Sequence, residues 1–122
     1  MGEAIAFLDS MDRMSVLKND VALGKTVYNE LRKRKNIRVF LHDPNDWVGI
    51  VSFHHDKIHP HDIAAFLDRE NVCVRAGHHC AQPLMQALQV PATTRVSPYL
   101  YNNEDDIARF LVGLDNVEKV LG

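Results

Sequence analysis

The sequence VRAGHHCAQP, residues 74–83, places a cation, a glycine, two imidazoles and a thiol directly before a proline and a new apolar run. Gly77 allows backbone angles that residues with a Cβ resist, so we expect a tight loop here. Pro83 suits the first turn of a helix, where its missing N–H costs nothing. Cys80 would then precede a helix N-terminus, where the helix dipole, Arg75 and the imidazoles favour thiolate over thiol. The stretch therefore predicts a reactive sulfur site.

Outward from this loop, the spacing of apolar residues predicts a small α/β domain. Helices are expected over residues 3–12, 15–35, 60–71, from 83 and from 103, and strands over 37–41, 47–53, 72–74 and 93–97, with a turn at 43–46. This order predicts an α+β sandwich with a small mixed sheet of about four strands and helices mainly on one face. Cys73, in the third strand, is predicted to be buried and inert. The apolar stripe of the first helix could pack on its own core or on a partner surface.

Length and composition exclude several classes of protein. A chain of 122 residues supports one domain, and its net charge of −2 gives no reason to expect nucleic-acid or membrane binding. No apolar run approaches the roughly 18 residues of a membrane span, and no basic segment followed by an apolar one opens the chain. Two cysteines make no disulfide framework, so we expect a cytoplasmic protein with reduced thiols. The basic run at 32–35 is interpreted as a solvated helix end rather than a nucleic-acid patch.

Two kinds of site compete with a reactive thiol among the histidines and cysteines. Imidazole and thiolate are proper zinc ligands, so a zinc site is one possibility. Its candidate ligands are Cys80 and the histidines His54, His55, His59, His61, His78 and His79. Their spacings match no familiar ligand pair. A protease-like dyad would need a base for Cys80, and a histidine one or two residues away rarely reaches its nucleophile in a productive geometry.

Two arginines add a possible substrate clamp. Arg75 precedes Cys80 by five residues, and Arg95 lies on a predicted strand fifteen residues after it. An arginine at a strand end beside a reactive loop offers a planar fork for a substrate carboxylate. A surface ion pair is the alternative for either side chain. These residues predict a thiol beside a carboxylate site without naming the reaction.

The segments RAGHHCAQPLM (75–85), TRVS (94–97) and YN (101–102) closely resemble the C-terminal part of SUF-type cysteine desulfurases. These enzymes belong to the class-V aminotransferase family of pyridoxal-phosphate enzymes, which includes the selenocysteine lyases. The short Gly-His-His-Cys loop is typical of the second desulfurase group. The resemblance runs from about residue 2 to residue 122 and implies the small domain of fold-type I pyridoxal-phosphate enzymes.

The resemblance also implies a mechanism and a set of site residues. In this family pyridoxal phosphate activates L-cysteine, and a loop thiolate takes its sulfur as a persulfide and leaves alanine, for iron–sulfur cluster biogenesis. By resemblance, Cys80 is the nucleophile and persulfide carrier, Arg95 binds the substrate carboxylate, and Arg75 supports the same region. Gly77, His78 and His79 complete the active-site loop, and neither histidine is assigned a proton transfer.

The chain departs from the family in its cofactor residues. The family's Schiff-base lysine follows a histidine, and none of the six lysines here has that context (Lys18, Lys25, Lys33, Lys35, Lys57 and Lys119). We therefore expect residues 1–122 to be a single domain, the desulfurase small domain, with the large cofactor-binding domain absent. Such a chain would bind no pyridoxal phosphate or metal by itself and would be inactive alone.

Partners follow from the same resemblance. The complete enzyme would take L-cysteine as substrate, could form a homodimer and could pass sulfur to an acceptor protein of the SufE or SufU kind. An alternative is a stand-alone persulfide carrier or interaction module derived from this domain, in which Cys80 accepts sulfur from another protein. A zinc-binding module is the third hypothesis.

Overall fold

A computed structural model of the chain describes residues 1–41, 43 and 47–122. The elements follow the predicted order: α1 (Gly2–Asp9), α2 (Arg13–Leu31), β1 (Ile37–Phe40), β2 (Val51–His55), α3 (Pro60–Arg69), β3 (Arg75–Gly77), α4 (Gln82–Leu88), β4 (Thr93–Val96) and α5 (Glu104–Leu121). The predicted turn at 43–46 lies outside the described residues except for Asp43. Within the described ranges, none of the helices combines the length and the apolar character needed to cross a bilayer.

Side chains at the helix starts explain where α2 and α5 begin. The Asp12 carboxylate accepts hydrogen bonds from the N–H groups of Met14 and Ser15. Asn103 and Asp106 form a reciprocal capping box at the start of α5. Each cap satisfies N–H groups that have no partner within the helix, which stabilises a helix end by about 1 kcal/mol.

The sheet has the strand order β1-β2-β4-β3, and each neighbouring pair is antiparallel. The predicted α/β class is confirmed, but the sheet is antiparallel rather than mixed. The reason is the position of β4. Strands β2 and β3 point the same way and are joined through α3, yet β4 inserts between them and runs against both. No parallel pair therefore remains in this sheet.

Three helices, α2, α3 and α5, pack on one face of the sheet and enclose the core. Its most buried side chains come from these helices and from β2 (Val27, Leu31, Val51, Phe53, Ile63, Leu67, Phe110, Leu114 and Val117). Burying one such side chain contributes about 1.5–3 kcal/mol. The short helix α4 lies toward the other face, where the Arg38 guanidinium donates a hydrogen bond to the Leu88 carbonyl at 2.8 Å. The expectation of helices mainly on one face is confirmed.

Cys73 differs from its prediction. Strand β3 begins at Arg75 rather than at residue 72, so Cys73 belongs to the connection that follows α3. Its side chain is exposed and its thiol is free. The apolar run at 72–74 thus predicts the region of the strand but misplaces its start.

Helix α2 crosses the segment before β2 at a contact between two glycines. A Cβ at Gly24 would lie 2.2 Å from the carbonyl oxygen of Gly49, and a Cβ at Gly49 would lie 2.2 Å from that of Asp20. Gly49 also has a φ of +83°. Backbone approaches backbone here, so neither position has room for a side chain.

A groove of about 510 Å³ lies between α1, α2 and residues 97–101. Helix α1 has no buried residue, so its packing on the domain's own core is not observed. Asp20 lines this groove and is 6% exposed. Its Oδ1 has no hydrogen-bond partner among the residues described, and burial raises the pKa of its carboxyl group above 3.8. An ionised Asp20 is therefore an unfavourable feature of the folded chain.

We expect Asp20→Asn to stabilise the domain at neutral pH by about 1–3 kcal/mol, because it removes a buried charge without changing the side chain's shape. The raised pKa means that the folded state holds the Asp20 proton more tightly than the unfolded state does. The cost of ionised Asp20 is therefore absent below about pH 3.8 and develops as the pH rises through the folded pKa. Urea unfolding at about pH 7 and about pH 4 measures the effect. An equal difference at both pH values would contradict this account.

Candidate active site

The Cys80 loop connects β3 to α4 through a tight turn. The Ala81 N–H donates a hydrogen bond to the His78 carbonyl at 2.9 Å, and the two residues between them, His79 and Cys80, have φ values of 56° and 60°. Gly77, with φ of 123°, leads into the turn. Positive φ at both central residues is the pattern of a type I′ turn, which usually has Asn and Gly there. The predicted tight loop is therefore present, and it exposes the Cys80 side chain.

Arg75 and Arg95 lie directly opposite each other on β3 and β4. Residues directly opposite on antiparallel strands project from the same face, and like charges in this position repel. The Arg75 Nη2 is 4.0 Å from the Cys80 sulfur, and the Arg95 Nε donates a hydrogen bond to the Ser97 Oγ at 3.1 Å. Neither guanidinium forms a salt bridge with a carboxylate in the described part of the chain. The arrangement provides one guanidinium beside the thiol and a second one opposite it on the neighbouring strand, which suits an anionic ligand.

His79 is held between this site and the sheet. Its Nε2 lies 2.8 Å from the Oγ1 of Thr93, a fully buried residue of β4, and its buried Nδ1 has no partner among the described residues. Burial lowers the pKa of His79 below 6.5, and the charges of Arg95 and Arg75 lower it further. His79 is therefore a neutral imidazole at neutral pH. Thr93 could not be identified from the sequence, because a threonine in a strand carries no signal of such a contact.

The lowered pKa of His79 gives a stability prediction. Protonating His79 is harder in the folded state than in the unfolded state, so wild-type stability should fall as the pH drops below about 6.5. His79→Gln, which cannot titrate, should lack this contribution, and the two stability curves should diverge toward acid by at most about 1.4 kcal/mol per pH unit. Urea midpoints between about pH 7.5 and about pH 5 test this. Parallel curves would contradict the assignment.

Two depressions meet at His79. One, of about 510 Å³, contains Arg75, His78 and Cys80. The other, of about 560 Å³, lies on the sheet face beside α4, has mainly apolar walls and contains Arg95. His79 lines both. The predicted site residues Cys80, Arg75, Arg95, Gly77, His78 and His79 therefore come together around one loop and the strand beside it.

The residues around Cys80 do not provide a pyridoxal-phosphate site. All six lysines are exposed, and none lines either depression. A Schiff-base lysine for this cofactor is therefore not available at Cys80 within this chain.

The histidine-based alternatives gain no support from the geometry. His55 is buried, and its Nδ1 accepts hydrogen bonds from the N–H groups of Lys57 and Ile58, both at 3.1 Å. The His54 Nδ1 lies 3.1 Å from the Ala92 carbonyl oxygen. Across the ranges that the structure describes, no three His, Cys, Asp or Glu side chains are grouped closely enough to hold a metal ion. The His79 ring is bonded to Thr93 rather than to Cys80, so it is not placed as a protease-like base.

Comparisons with known proteins point to one family. The sequence model of the family described as "Aminotransferase class-V" matches residues 1–110. A protein named "Probable cysteine desulfurase" from Halalkalibacterium halodurans is 38% identical over 122 residues, which are 100% of this chain and 30% of that protein. A "Cysteine desulfurase" from Yersinia pestis is 33% identical over the same share of each chain. The chain thus spans about 30% of the length of these curated relatives.

Solved structures have the same fold. The cysteine desulfurase CsdA from Escherichia coli superposes with a TM-score of 0.90 and 26% identity, over 98% of this chain and 29% of that one. The apo structure of a cysteine desulfurase from Thermococcus onnurineus NA1 gives a TM-score of 0.86 and 29% identity, over 94% of this chain and 29% of that one.

Proposed function

Because this chain belongs to the aminotransferase class-V family, we propose that it is the sulfur-accepting domain of a cysteine desulfurase. The observation that carries the proposal is the exposed thiol of Cys80, held in a strained turn 4.0 Å from the Arg75 guanidinium. Its exposure leaves the sulfur open to a substrate, and the adjacent guanidinium can attract a carboxylate that the substrate carries. The similarity of the chain to proteins named as cysteine desulfurases supports the choice of reaction.

In the proposed reaction, the Cys80 thiolate attacks the sulfur of L-cysteine and keeps it as a persulfide, and alanine is the other product. Arg95 binds the substrate carboxylate through its terminal guanidinium nitrogens, since its Nε is already bonded to Ser97. Arg75 supplies positive charge beside the Cys80 sulfur, which stabilises negative charge on that sulfur during the attack. His79 separates the two arginines' depressions and contributes no charge at neutral pH.

Breaking the carbon–sulfur bond of L-cysteine requires an electron sink, which the family's pyridoxal phosphate supplies when bound. This chain has no lysine at Cys80 to hold it, so we propose that the chain is inactive alone and functions with a cofactor-binding domain. We also propose that the complete enzyme works in the cytoplasm as a homodimer. There it would pass the Cys80 sulfur to an acceptor protein of the SufE or SufU kind, for iron–sulfur cluster assembly.

The proposal is tested by a chimera in which this chain replaces the matching 30% of the Halalkalibacterium halodurans relative. Pyridoxal phosphate and L-cysteine are added to the chimera, to the parent enzyme and to this chain alone, and alanine and the cofactor's absorbance are measured. We expect alanine from the chimera and the parent only. Within the chimera, Arg95→Leu should raise KM for L-cysteine, because it removes the carboxylate fork.

Two results would replace the proposal. Alanine production and a stable cofactor chromophore from this chain alone would mean that one of its own lysines holds the cofactor. An inactive but folded chimera, together with a chain that accepts sulfur on Cys80 from the intact parent enzyme, would instead favour the stand-alone persulfide carrier.

A further inference from the structure

The turn that presents Cys80 is unfavourable for its own sequence. His79 and Cys80 both have a Cβ, yet both have positive φ, and each such residue costs free energy that the surroundings must offset. Within the turn, the single backbone hydrogen bond from Ala81 to His78 is the one that any β-turn of this kind forms. Because all such turns form this hydrogen bond, it does not explain why His79 and Cys80 adopt positive φ here. Some contact outside the turn must therefore hold it.

The hydrogen bond between His79 and Thr93 provides that contact. The Nε2–Oγ1 distance is 2.8 Å, and Thr93 is fully buried on β4, directly opposite Gly77 in the strand register. In the described part of the chain, the turn's other side-chain contact, from Arg75 to Cys80, goes to β3, so the His79–Thr93 bond is the one that joins the turn to β4. Because Thr93 is fully buried, losing the bond would leave its hydroxyl unsatisfied, which makes the bond costly to lose. The turn is thus anchored to a rigid strand through its first left-handed residue.

We propose that His79 and Thr93 are a positioning pair that keeps the Cys80 sulfur next to the Arg75 guanidinium, so that a reactant carrying a carboxylate is favoured at this thiol. The inference rests on the function proposed for Cys80 and assigns a role to two residues that touch no reacting atom. Without the bond, His79 returns to negative φ, the turn opens, and the sulfur moves away from the Arg75 guanidinium. The lowered pKa of His79 fits this role, because a neutral ring can lie between two arginines without added repulsion.

The test compares two alkylating reagents of similar size, the anionic iodoacetate and the neutral iodoacetamide. The measured quantity is the ratio of their rate constants at Cys80, followed by peptide mass spectrometry in the intact chain. Cys73, an exposed thiol outside the turn, serves as an internal reference. A carboxylate about 4 Å from a guanidinium is favoured by a factor of about five even in water. The iodoacetate-to-iodoacetamide ratio at Cys80, beside Arg75, should therefore exceed the ratio at Cys73 by about that factor. A ratio at Cys80 equal to that at Cys73 in the wild-type chain would overturn the proposal.

The chain offers a matched pair of variants for this measurement. Thr93→Val removes the hydroxyl that bonds His79, whereas Thr94→Val removes an equally buried hydroxyl that has no partner among the described residues. We expect Thr93→Val to lower the ratio at Cys80 about fivefold, to the value at Cys73, and Thr94→Val to leave it unchanged. Thr93→Ser, which keeps the hydroxyl, should restore the wild-type ratio. A folded Thr93→Val chain with the wild-type ratio would overturn the proposal.

A second variant covers the case in which Thr93→Val does not fold. His79→Ala removes the same bond from the loop side, without changing a residue of the sheet, and should lower the ratio equally. An unchanged ratio in His79→Ala would overturn the proposal. Alkylation needs neither cofactor nor sulfur transfer, so an inactive chimera with these ratio changes would contradict the proposed function alone, and an active chimera without them would contradict the positioning pair alone.

Discussion

Replacing Cys80 by serine is expected to abolish sulfur transfer in the chimeric enzyme, with a loss of alanine formation of about 1,000-fold or more. A serine hydroxyl is a far weaker nucleophile than a cysteine sulfur at neutral pH, so it cannot replace Cys80 in taking up sulfur. Alanine release and mass spectrometry of the protein, which detects one added sulfur atom, measure the two products of the same step.

Cys73→Ser is the matched control, since Cys73 is the chain's other thiol and is also exposed. It lies before β3, outside the turn, and the hydrogen bonds described for the two arginines go to Cys80 and Ser97 rather than to Cys73. Its activity should stay within about twofold of wild type. Persulfide sulfur found on Cys73, or activity retained by Cys80→Ser, would show that Cys80 is not the acceptor.

Gly49→Ala should destabilise the domain by about 3 kcal/mol or more, which is a large share of the roughly 5–15 kcal/mol that stabilises a typical domain. The added methyl carbon would lie 2.2 Å from the carbonyl oxygen of Asp20, and the backbone of Gly49 has φ of +83°. The obstacle is backbone rather than a movable side chain, so α2 would have to shift away from the segment before β2. Urea unfolding and the dispersion of amide resonances measure the loss.

Gly2→Ala is the control for this substitution, because a Cβ at Gly2 meets nothing within 4 Å. Its stability should change by less than about 0.5 kcal/mol. Gly24→Ala addresses the same crossing from the helix side, where a Cβ would lie 2.2 Å from the Gly49 carbonyl oxygen. If either Gly49→Ala or Gly24→Ala unfolds at the wild-type urea concentration, the close crossing is not required for the fold.

Local patterns predicted most of the elements. The periodicity of apolar residues, the cap at Asn103 and the proline at position 60 depend on neighbours in the chain, and the helices that contain them begin where expected. The family match confirms the resemblance carried by residues 75–85. The predicted mixed sheet was wrong. The strand directions depend on β4 inserting between β2 and β3, and no local pattern encodes that insertion.

The sequence identified candidate site residues, but it did not predict how they are arranged in space. Arg75, Arg95 and Cys80 were identified from their chemistry, whereas their relation depends on the register of β3 against β4. Thr93 was missed because its hydroxyl gains meaning only through the long-range contact with His79. Cys73 was placed inside a strand that begins two residues later, since a short apolar run does not fix the start of a strand.

The facing arginines of β3 and β4 have a thermodynamic consequence. While no anion is bound, their mutual repulsion opposes the pairing of the edge strand β3 with β4. An anion bound between them would neutralise that repulsion, so strand pairing and anion binding are linked equilibria. A ligand that binds only the folded chain stabilises it by RT ln(1 + L/Kd), where L is the ligand concentration, so the stabilisation rises with that concentration. The folded chain is then most stable when an anion occupies this position, and such an anion would help to hold β3 at the edge of the sheet.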